Sequence, residues 1–107
     1  MSSEKMHALS WIEENEKRII TISDEIWRFA ELGLVEHKSS SLLIAELEKH
    51  GFKIERGVAG MPTAFIASYG DSKPIIAVMG EYDALPGLSQ KKVPYKEPLK
   101  PEHPGHG

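Results

Sequence analysis

The chain has 107 residues, of which 40% are hydrophobic and 27% are charged, a composition typical of a globular protein rather than a disordered one. Its formal net charge of -3 gives no electrostatic reason to expect nucleic acid or an anionic membrane as a partner. The nearest approach to a basic patch is Lys91-Lys92, which suits a solvated loop. The absence of cysteine excludes a disulfide framework and a cysteine-based zinc site. With no signal-like N-terminal run and no membrane-length apolar stretch, we expect a cytoplasmic protein.

The first predicted element is a helix, because apolar residues recur along one face between positions 9 and 29. Ser2 or Ser3 is expected to cap its start, and Ser23-Asp24 to mark a kink or a fresh start. We expect this helix to end near Gly33, since glycine readily adopts the left-handed conformation. The residues of the apolar face are Leu9, Ile12, Ile19, Ile22, Ile26 and Phe29.

A second helix is predicted downstream, capped by one of the serines at 39–41 and ending at Gly51. Three strands are then expected, at 52–58, 63–69 and 74–82. The last is a continuous apolar run that suits a strand buried on both faces. Because a polar turn of hairpin length separates the last two, we expect them to be antiparallel neighbours.

Residues 84–107 contain five prolines and no helical or strand period, which predicts an extended loop. The prediction is thus an α/β fold in two parts, a partial catalytic domain at 1–83 and an irregular tail at 84–107. Two helices cannot cover both faces of a buried strand, so we expect the fold to continue beyond Gly107. A complete small α/β protein with a loose tail is the alternative.

The first candidate catalytic or metal-binding residues lie at the end of the apolar run, in Gly80-Glu81-Tyr82-Asp83. Glu81 and Asp83 are two positions apart, so on a strand their side chains would point the same way. Carboxylates at a strand end bind a cation, orient a metal-bound histidine or act as a base. The alternative is a pair of ordinary solvated acids in a turn.

A second candidate lies near the end of the chain, in His103-Pro104-Gly105-His106. Two imidazoles three residues apart are able to share a metal ion. A zinc site needs at least three protein ligands, however, so two solvated histidines are the alternative.

Three segments resemble amidohydrolases of the aminobenzoyl-glutamate hydrolase type, within the wider family of zinc aminoacylases and carboxypeptidases. The most specific match is Gly80 to Gln90, GEYDALPGLSQ, at the end of the predicted strand. Ala30 to Glu36 resembles a helix-ending segment of the form PELG-x-x-E, with Ala30 in place of proline. Pro104-Gly105-His106-Gly107 resembles the start of a segment that continues as Cys-Gly-His-Asn in the family.

The resemblance implies a longer, two-domain enzyme whose α/β catalytic domain holds a two-metal site, zinc or manganese. It implies hydrolysis of the amide bond of an N-acyl amino acid or a dipeptide-like molecule by a metal-activated water. The small-molecule amide is therefore the expected partner, with no nucleic acid or membrane. The whole enzyme is expected to be a homodimer or a hetero-oligomer.

Transferred residue by residue, the resemblance implies a role for Asp83 as a metal ligand or as the residue that orients one. Glu81 is a subsidiary candidate, because some relatives carry a metal-binding histidine there. His106 is another, because it precedes the family's Cys and His ligands. The remaining ligands and the general-base glutamate would lie beyond Gly107, so we expect this chain alone to be inactive. A small binding or regulatory protein, or one half of a split enzyme, are the other hypotheses.

Overall fold

A computed structural model describes residues 1–107. It contains two α-helices, one short 3-10 helix and a two-stranded antiparallel sheet, so the fold is mixed α/β as predicted. In chain order the elements are α1 (Ser3–Phe29), α2 (His37–Lys49), β1 (Lys53–Arg56), the 3-10 helix (Val58–Gly60) and β2 (Phe65–Ser68).

The start of α1 confirms the predicted cap. The Ser2 hydroxyl accepts a hydrogen bond from the Lys5 backbone N–H at 3.3 Å, which satisfies one of the free donors of the first turn. The predicted break at Ser23-Asp24 is wrong, because α1 continues through both residues without interruption.

The end of α1 corrects the predicted boundary at Gly33. Ala30 takes the left-handed conformation, with φ 45° and ψ 50°, and its N–H donates to the Ile26 carbonyl at 3.3 Å. The helix therefore ends at Phe29, even though alanine rarely adopts this conformation. Contacts made by the residues that follow, described below, hold the chain in this turn.

The start of α2 also differs from the prediction. The helix begins at His37, so Ser39 and Ser40 lie inside its first turn, where both are buried. None of the three serines occupies the cap position. A carboxylate from another part of the chain supplies the missing acceptor.

The sheet confirms two of the three predicted strands, each shorter than expected. β1 and β2 pair antiparallel in a register that runs from Lys53 opposite Ser68 to Arg56 opposite Phe65. The predicted pairing of the strand at 63–69 with 74–82 is therefore wrong, because the partner of β2 is β1.

Residues 74–79, here called the exposed apolar segment, form no strand, and the predicted strand at 74–82 is wrong. The exposed fractions of Ile75, Ile76, Val78 and Met79 are 85%, 83%, 96% and 91%. A strand needs neighbouring backbone groups to satisfy its N–H and C=O groups. Within residues 1–107 no strand lies beside this segment, so the segment does not form a strand despite its apolar pattern.

Residues 84–107, here called the C-terminal segment, contain no helix or strand, in line with the predicted loop. The segment is nevertheless joined to itself and to the rest of the chain. Ala84 forms a parallel bridge with Leu32, and Leu85 forms an antiparallel bridge with Gly105. The first bridge joins residues on opposite sides of the predicted boundary between 83 and 84. The division into 1–83 and 84–107 stays a prediction.

The core is small. Among apolar residues only Ile44 and Ala84 are buried, with exposed fractions of 3% and 2%. Ile44 lies on α2, and Ala84 lies at the bridge to Leu32. Neither helix is long and apolar enough to cross a membrane.

Candidate functional site

The turn after α1 places Glu31 at the start of α2. One carboxylate oxygen accepts hydrogen bonds from the Ser39 N–H at 2.7 Å and the Ser39 hydroxyl at 2.8 Å. The other accepts from the Lys38 N–H at 3.0 Å. Glu31 thus caps the helix from outside it, where the free N–H groups and the helix dipole favour a negative charge.

The pKa of Glu31 reflects this position. Burial raises the pKa of the carboxyl, but the hydrogen bonds from Lys38 and Ser39 and the charge of Lys38 outweigh it. The net result is a pKa below the ordinary value of 4.5. Glu31 therefore stays ionised as a structural group, and its oxygens are already engaged.

A second carboxylate, that of Glu36, closes the same turn. It accepts from the Leu34 N–H at 2.9 Å and from the Thr63 hydroxyl. Glu36 and Thr63 are both buried, with exposed fractions of 8% and 4%. The Tyr82 hydroxyl donates in turn to the Thr63 carbonyl. These bonds connect the turn after α1 to the residue just before Asp83.

The Tyr82 hydroxyl is held in its neutral form. Burial raises its pKa above the ordinary value of 10.0, and the negative charge of Glu36 raises it further. Tyr82 is consequently a hydrogen-bond donor across the whole physiological range, and it serves to fix the backbone on which Asp83 lies.

Asp83 lies beside this turn. The Ala84 N–H donates to the Glu31 carbonyl at 2.7 Å, which sets the backbone next to Asp83 against the turn. A Cβ placed at Gly33 would lie 3.7 Å from a Glu36 carboxylate oxygen and 4.0 Å from an Asp83 carboxylate oxygen. Gly33 is therefore flanked by two carboxylates. Asp83 is half-buried and takes part in none of the hydrogen bonds described for Glu31 and Glu36.

Glu81 differs from Asp83 in its surroundings, since it is exposed. The expectation that both point the same way rested on a strand that is not formed here. A metal role for Glu81 stays a prediction.

His106 lies at the other end of the C-terminal segment, against α1. Its Nε2 is 3.2 Å from the Ile26 carbonyl, a contact in which the protonated nitrogen donates. The Leu85 N–H donates to the Gly105 carbonyl at 2.9 Å, and the Gly105 N–H donates back to Leu85 at 3.1 Å. These bonds hold the last residues of the chain against those that follow Asp83.

The structure thus brings together the three segments singled out by the sequence, at 31–36, 81–85 and 104–107. We call this arrangement the motif junction. Its supporting residues Glu31, Glu36, Thr63 and Tyr82 were not predicted as such. Two of them lie in the segment resembling PELG-x-x-E, which was the available signal for them.

The motif junction does not by itself make a metal site. No three histidine, aspartate or glutamate side chains of this chain are grouped so as to hold a metal ion. Glu31 and Glu36 direct their oxygens at N–H and hydroxyl donors. Among the carboxylates of the motif junction, Asp83 is therefore the half-buried one whose oxygens accept no hydrogen bond. The residues present therefore offer at most a part of a ligand set, and the metal roles of Asp83, Glu81 and His106 stay predictions.

No protein-family model matches the chain. A curated relative does: the chain is 43% identical over 97 residues to a subunit of p-aminobenzoyl-glutamate hydrolase from Escherichia coli (strain K12). The match covers 90% of this chain and 20% of that relative, so the chain spans about a fifth of the relative's length. Identity at this level over nearly the whole chain confirms the resemblance drawn from the three segments. Over 90% of its length, this chain is thus similar to one fifth of a p-aminobenzoyl-glutamate hydrolase subunit.

Proposed function

We propose that the chain is a part of a metal-dependent amidohydrolase that cleaves the amide bond of N-acyl amino acids or dipeptide-like molecules. The observation that carries the proposal is the motif junction, in which all three family-like segments meet. The similarity to a hydrolase subunit over 90% of the chain also supports it.

In this proposal Asp83 is the contribution of the chain to a divalent metal site, zinc or manganese, as a ligand or as the residue that orients one. The carboxylate has the oxygen donors that such metals accept. The bonds of Glu31, Glu36 and Tyr82 fix the backbone around it, as a preorganised site requires. The remaining ligands would come from residues outside 1–107, so the chain alone is inactive in this proposal. The relative is named as a subunit, which is consistent with an assembly of more than one chain.

A chimera tests the proposal. The matched segment of the Escherichia coli relative is replaced by residues 1–107, and hydrolysis of p-aminobenzoyl-glutamate and bound metal are measured. We expect a chimera that hydrolyses the amide, and we expect the Asp83→Asn variant to lose at least about tenfold in kcat or in metal affinity. Asp71→Asn, an exposed aspartate in the turn before the exposed apolar segment, is the matched control and should keep full activity.

Two outcomes would contradict the proposal. An active chimera in which Asp83→Asn and Asp71→Asn behave alike would remove Asp83 from the metal site. A folded chimera with neither activity nor bound metal would show that the chain does not provide the hydrolase function of the segment it replaces. The 107-residue chain by itself serves as the negative control, and hydrolysis by it alone would contradict the expected inactivity.

A further inference from the structure

We propose that the exposed apolar segment is an interaction surface for a second copy of this chain, with which it pairs as an antiparallel strand. Every residue from 74 to 81 is exposed, and a Cβ at Gly80 would have no atom within 4 Å. The surface is therefore open along its whole length. The inference concerns association and not hydrolysis, so it does not rest on the proposed function.

The backbone of this segment is free to join a strand ladder. Residues 75–80 contain no turn and no bend, and no residue from 75 to 79 has a positive φ angle. Their N–H and carbonyl groups form no backbone hydrogen bond within the chain. A row of unpaired N–H and C=O groups along an extended apolar segment favours pairing with another chain.

The order of the apolar side chains fits pairing of the segment with itself. An antiparallel register centred on Ala77 places Ile76 opposite Val78 of the second copy. The same register places Ile75 opposite Met79. Each of these pairs occurs twice, as the two-fold symmetry of a contact between identical surfaces requires. Large apolar and β-branched residues that face each other across two strands stabilise the ladder.

The proline at the start of the segment is compatible with this register. Pro74 has no backbone N–H, and opposite residues in an antiparallel ladder alternate between hydrogen-bonded and non-hydrogen-bonded pairs. When the two Ala77 residues form a hydrogen-bonded pair, Pro74 faces Gly80 at a non-hydrogen-bonded pair. The missing N–H then leaves no gap in the ladder.

The charges at the two ends of the segment favour the antiparallel arrangement of two copies. Lys73 precedes the segment and Glu81 follows it, and neither side chain enters an ion pair within the chain. The register centred on Ala77 places Lys73 of each copy opposite Glu81 of the other. A parallel in-register arrangement would place like charges together at both ends, which is destabilising. Charge complementarity therefore selects a second copy in antiparallel orientation.

The size of the contact sets its strength. The segment contributes only residues 74–80 from each copy, whereas a stable interface uses about 20–30 residues a side. We therefore expect a transient dimer that dissociates on dilution, so that the single chain predominates in dilute solution.

Disulfide trapping tests the register, because the chain contains no cysteine of its own. Ala77→Cys would face its own copy at a Cα distance of about 4.5–5.5 Å, which a disulfide spans. Ile75→Cys would lie about 13 Å from its own copy along the ladder, which is too far. With oxidised glutathione as the oxidant, we expect Ala77→Cys to form a disulfide-linked dimer at least about tenfold faster than Ile75→Cys.

A mixture of two variants checks the same register independently. Ile75→Cys and Met79→Cys should each cross-link slowly alone, and an equimolar mixture should form the mixed dimer about as fast as Ala77→Cys forms its own. Mass spectrometry distinguishes the mixed dimer from the two symmetric ones. Equal rates at all three positions would indicate parallel stacking or unspecific collapse. No cross-link in any of them would show that a second copy does not cover the segment, and either result would overturn the inference.

Charge reversal in the Ala77→Cys chain completes the test. Lys73→Glu places two carboxylates opposite each other at both ends of the ladder and should slow cross-linking at least about threefold. Adding Glu81→Lys restores the opposite charges, so the rate should return to within about twofold of its original value. Lys92→Glu makes the same change at an exposed position elsewhere and should alter the rate less than about twofold. Equal slowing by Lys73→Glu and Lys92→Glu, or no recovery on adding Glu81→Lys, would also overturn the inference.

Discussion

The exposed apolar segment and the C-terminal segment are opposite in pattern and in outcome. Residues 74–79 carry the most strand-like sequence of the chain, and yet they are exposed and unpaired. Residues 84–107 carry five prolines and no period, and yet backbone bonds join them to the turn after α1 and to each other. The apolar pattern of a segment therefore indicates which residues it is able to bury. Whether the segment forms secondary structure depends on the backbone hydrogen-bond partners that are available to it.

The largest expected effect on stability comes from comparing a buried isoleucine with an isoleucine of the exposed apolar segment. Ile44→Ala removes a residue that is 3% exposed, so we expect a loss of about 2–5 kcal/mol in the free energy of unfolding. Ile75→Ala makes the same chemical change at a position that is 85% exposed, and should alter stability by less than about 0.5 kcal/mol. Urea denaturation followed by far-UV circular dichroism measures both. A large loss in Ile75→Ala would mean that the exposed apolar segment is packed.

A second prediction tests the backbone contacts of the C-terminal segment. A Cβ at Gly105 would overlap the carbonyl oxygen of Leu88 and lie 2.6 Å from both the Leu88 carbonyl carbon and the Ser89 Cα. Because these are backbone atoms that cannot turn away, we expect Gly105→Ala to cost about 1–3 kcal/mol.

Gly80→Ala is the matched control, since a Cβ there has no atom within 4 Å. It should leave stability and proteolysis unchanged, while Gly105→Ala should expose residues 84–107 to faster cleavage by trypsin after Lys91, Lys92 and Lys96. Equal cleavage rates in the two variants would show that the C-terminal segment is not held as described.

The features that could be predicted from the sequence are those that depend on neighbouring residues. Ser2 was found as a cap because its acceptor and the Lys5 donor are three residues apart. The cap of α2 was missed because Glu31 lies eight residues before Ser39, beyond the local pattern that identifies a cap. The strand at 74–82 was wrong for the same reason, since its formation depends on a distant partner.

In the candidate site too, local segments were predicted and contacts between distant residues were not. The segments around Asp83 and Gly105 were identified by their resemblance to a family, and the structure places them next to each other. The bond of Thr63 to Glu36 spans 27 residues, and no spacing in the sequence signals it. The pattern shows which segments carry chemistry, but not which side chains hold them together.

The smallest expected effect concerns Glu31, which connects α2 to the motif junction. Glu31→Gln removes the charge at the helix start and should cost about 1 kcal/mol at pH 7. The pKa of Glu31 is lower in the folded chain than its ordinary value of 4.5, so its contribution is complete above pH 4.5 and is lost as the pH falls through the folded pKa. The difference in stability between the parent chain and Glu31→Gln should therefore shrink as urea titrations are carried from neutral pH to below 4.5.

Glu55→Gln is the control for this charge effect. Glu55 lies at an exposed position of β1, so its replacement removes the same charge without a helix cap and should cost less than about 0.5 kcal/mol at pH 7. If Glu31→Gln and Glu55→Gln gave the same curves, the carboxylate of Glu31 would not stabilise the start of α2. The turn that places Gly33 between Asp83 and Glu36 would then depend on the bond between Glu36 and Thr63 and on the backbone bond from Ala84 to the Glu31 carbonyl.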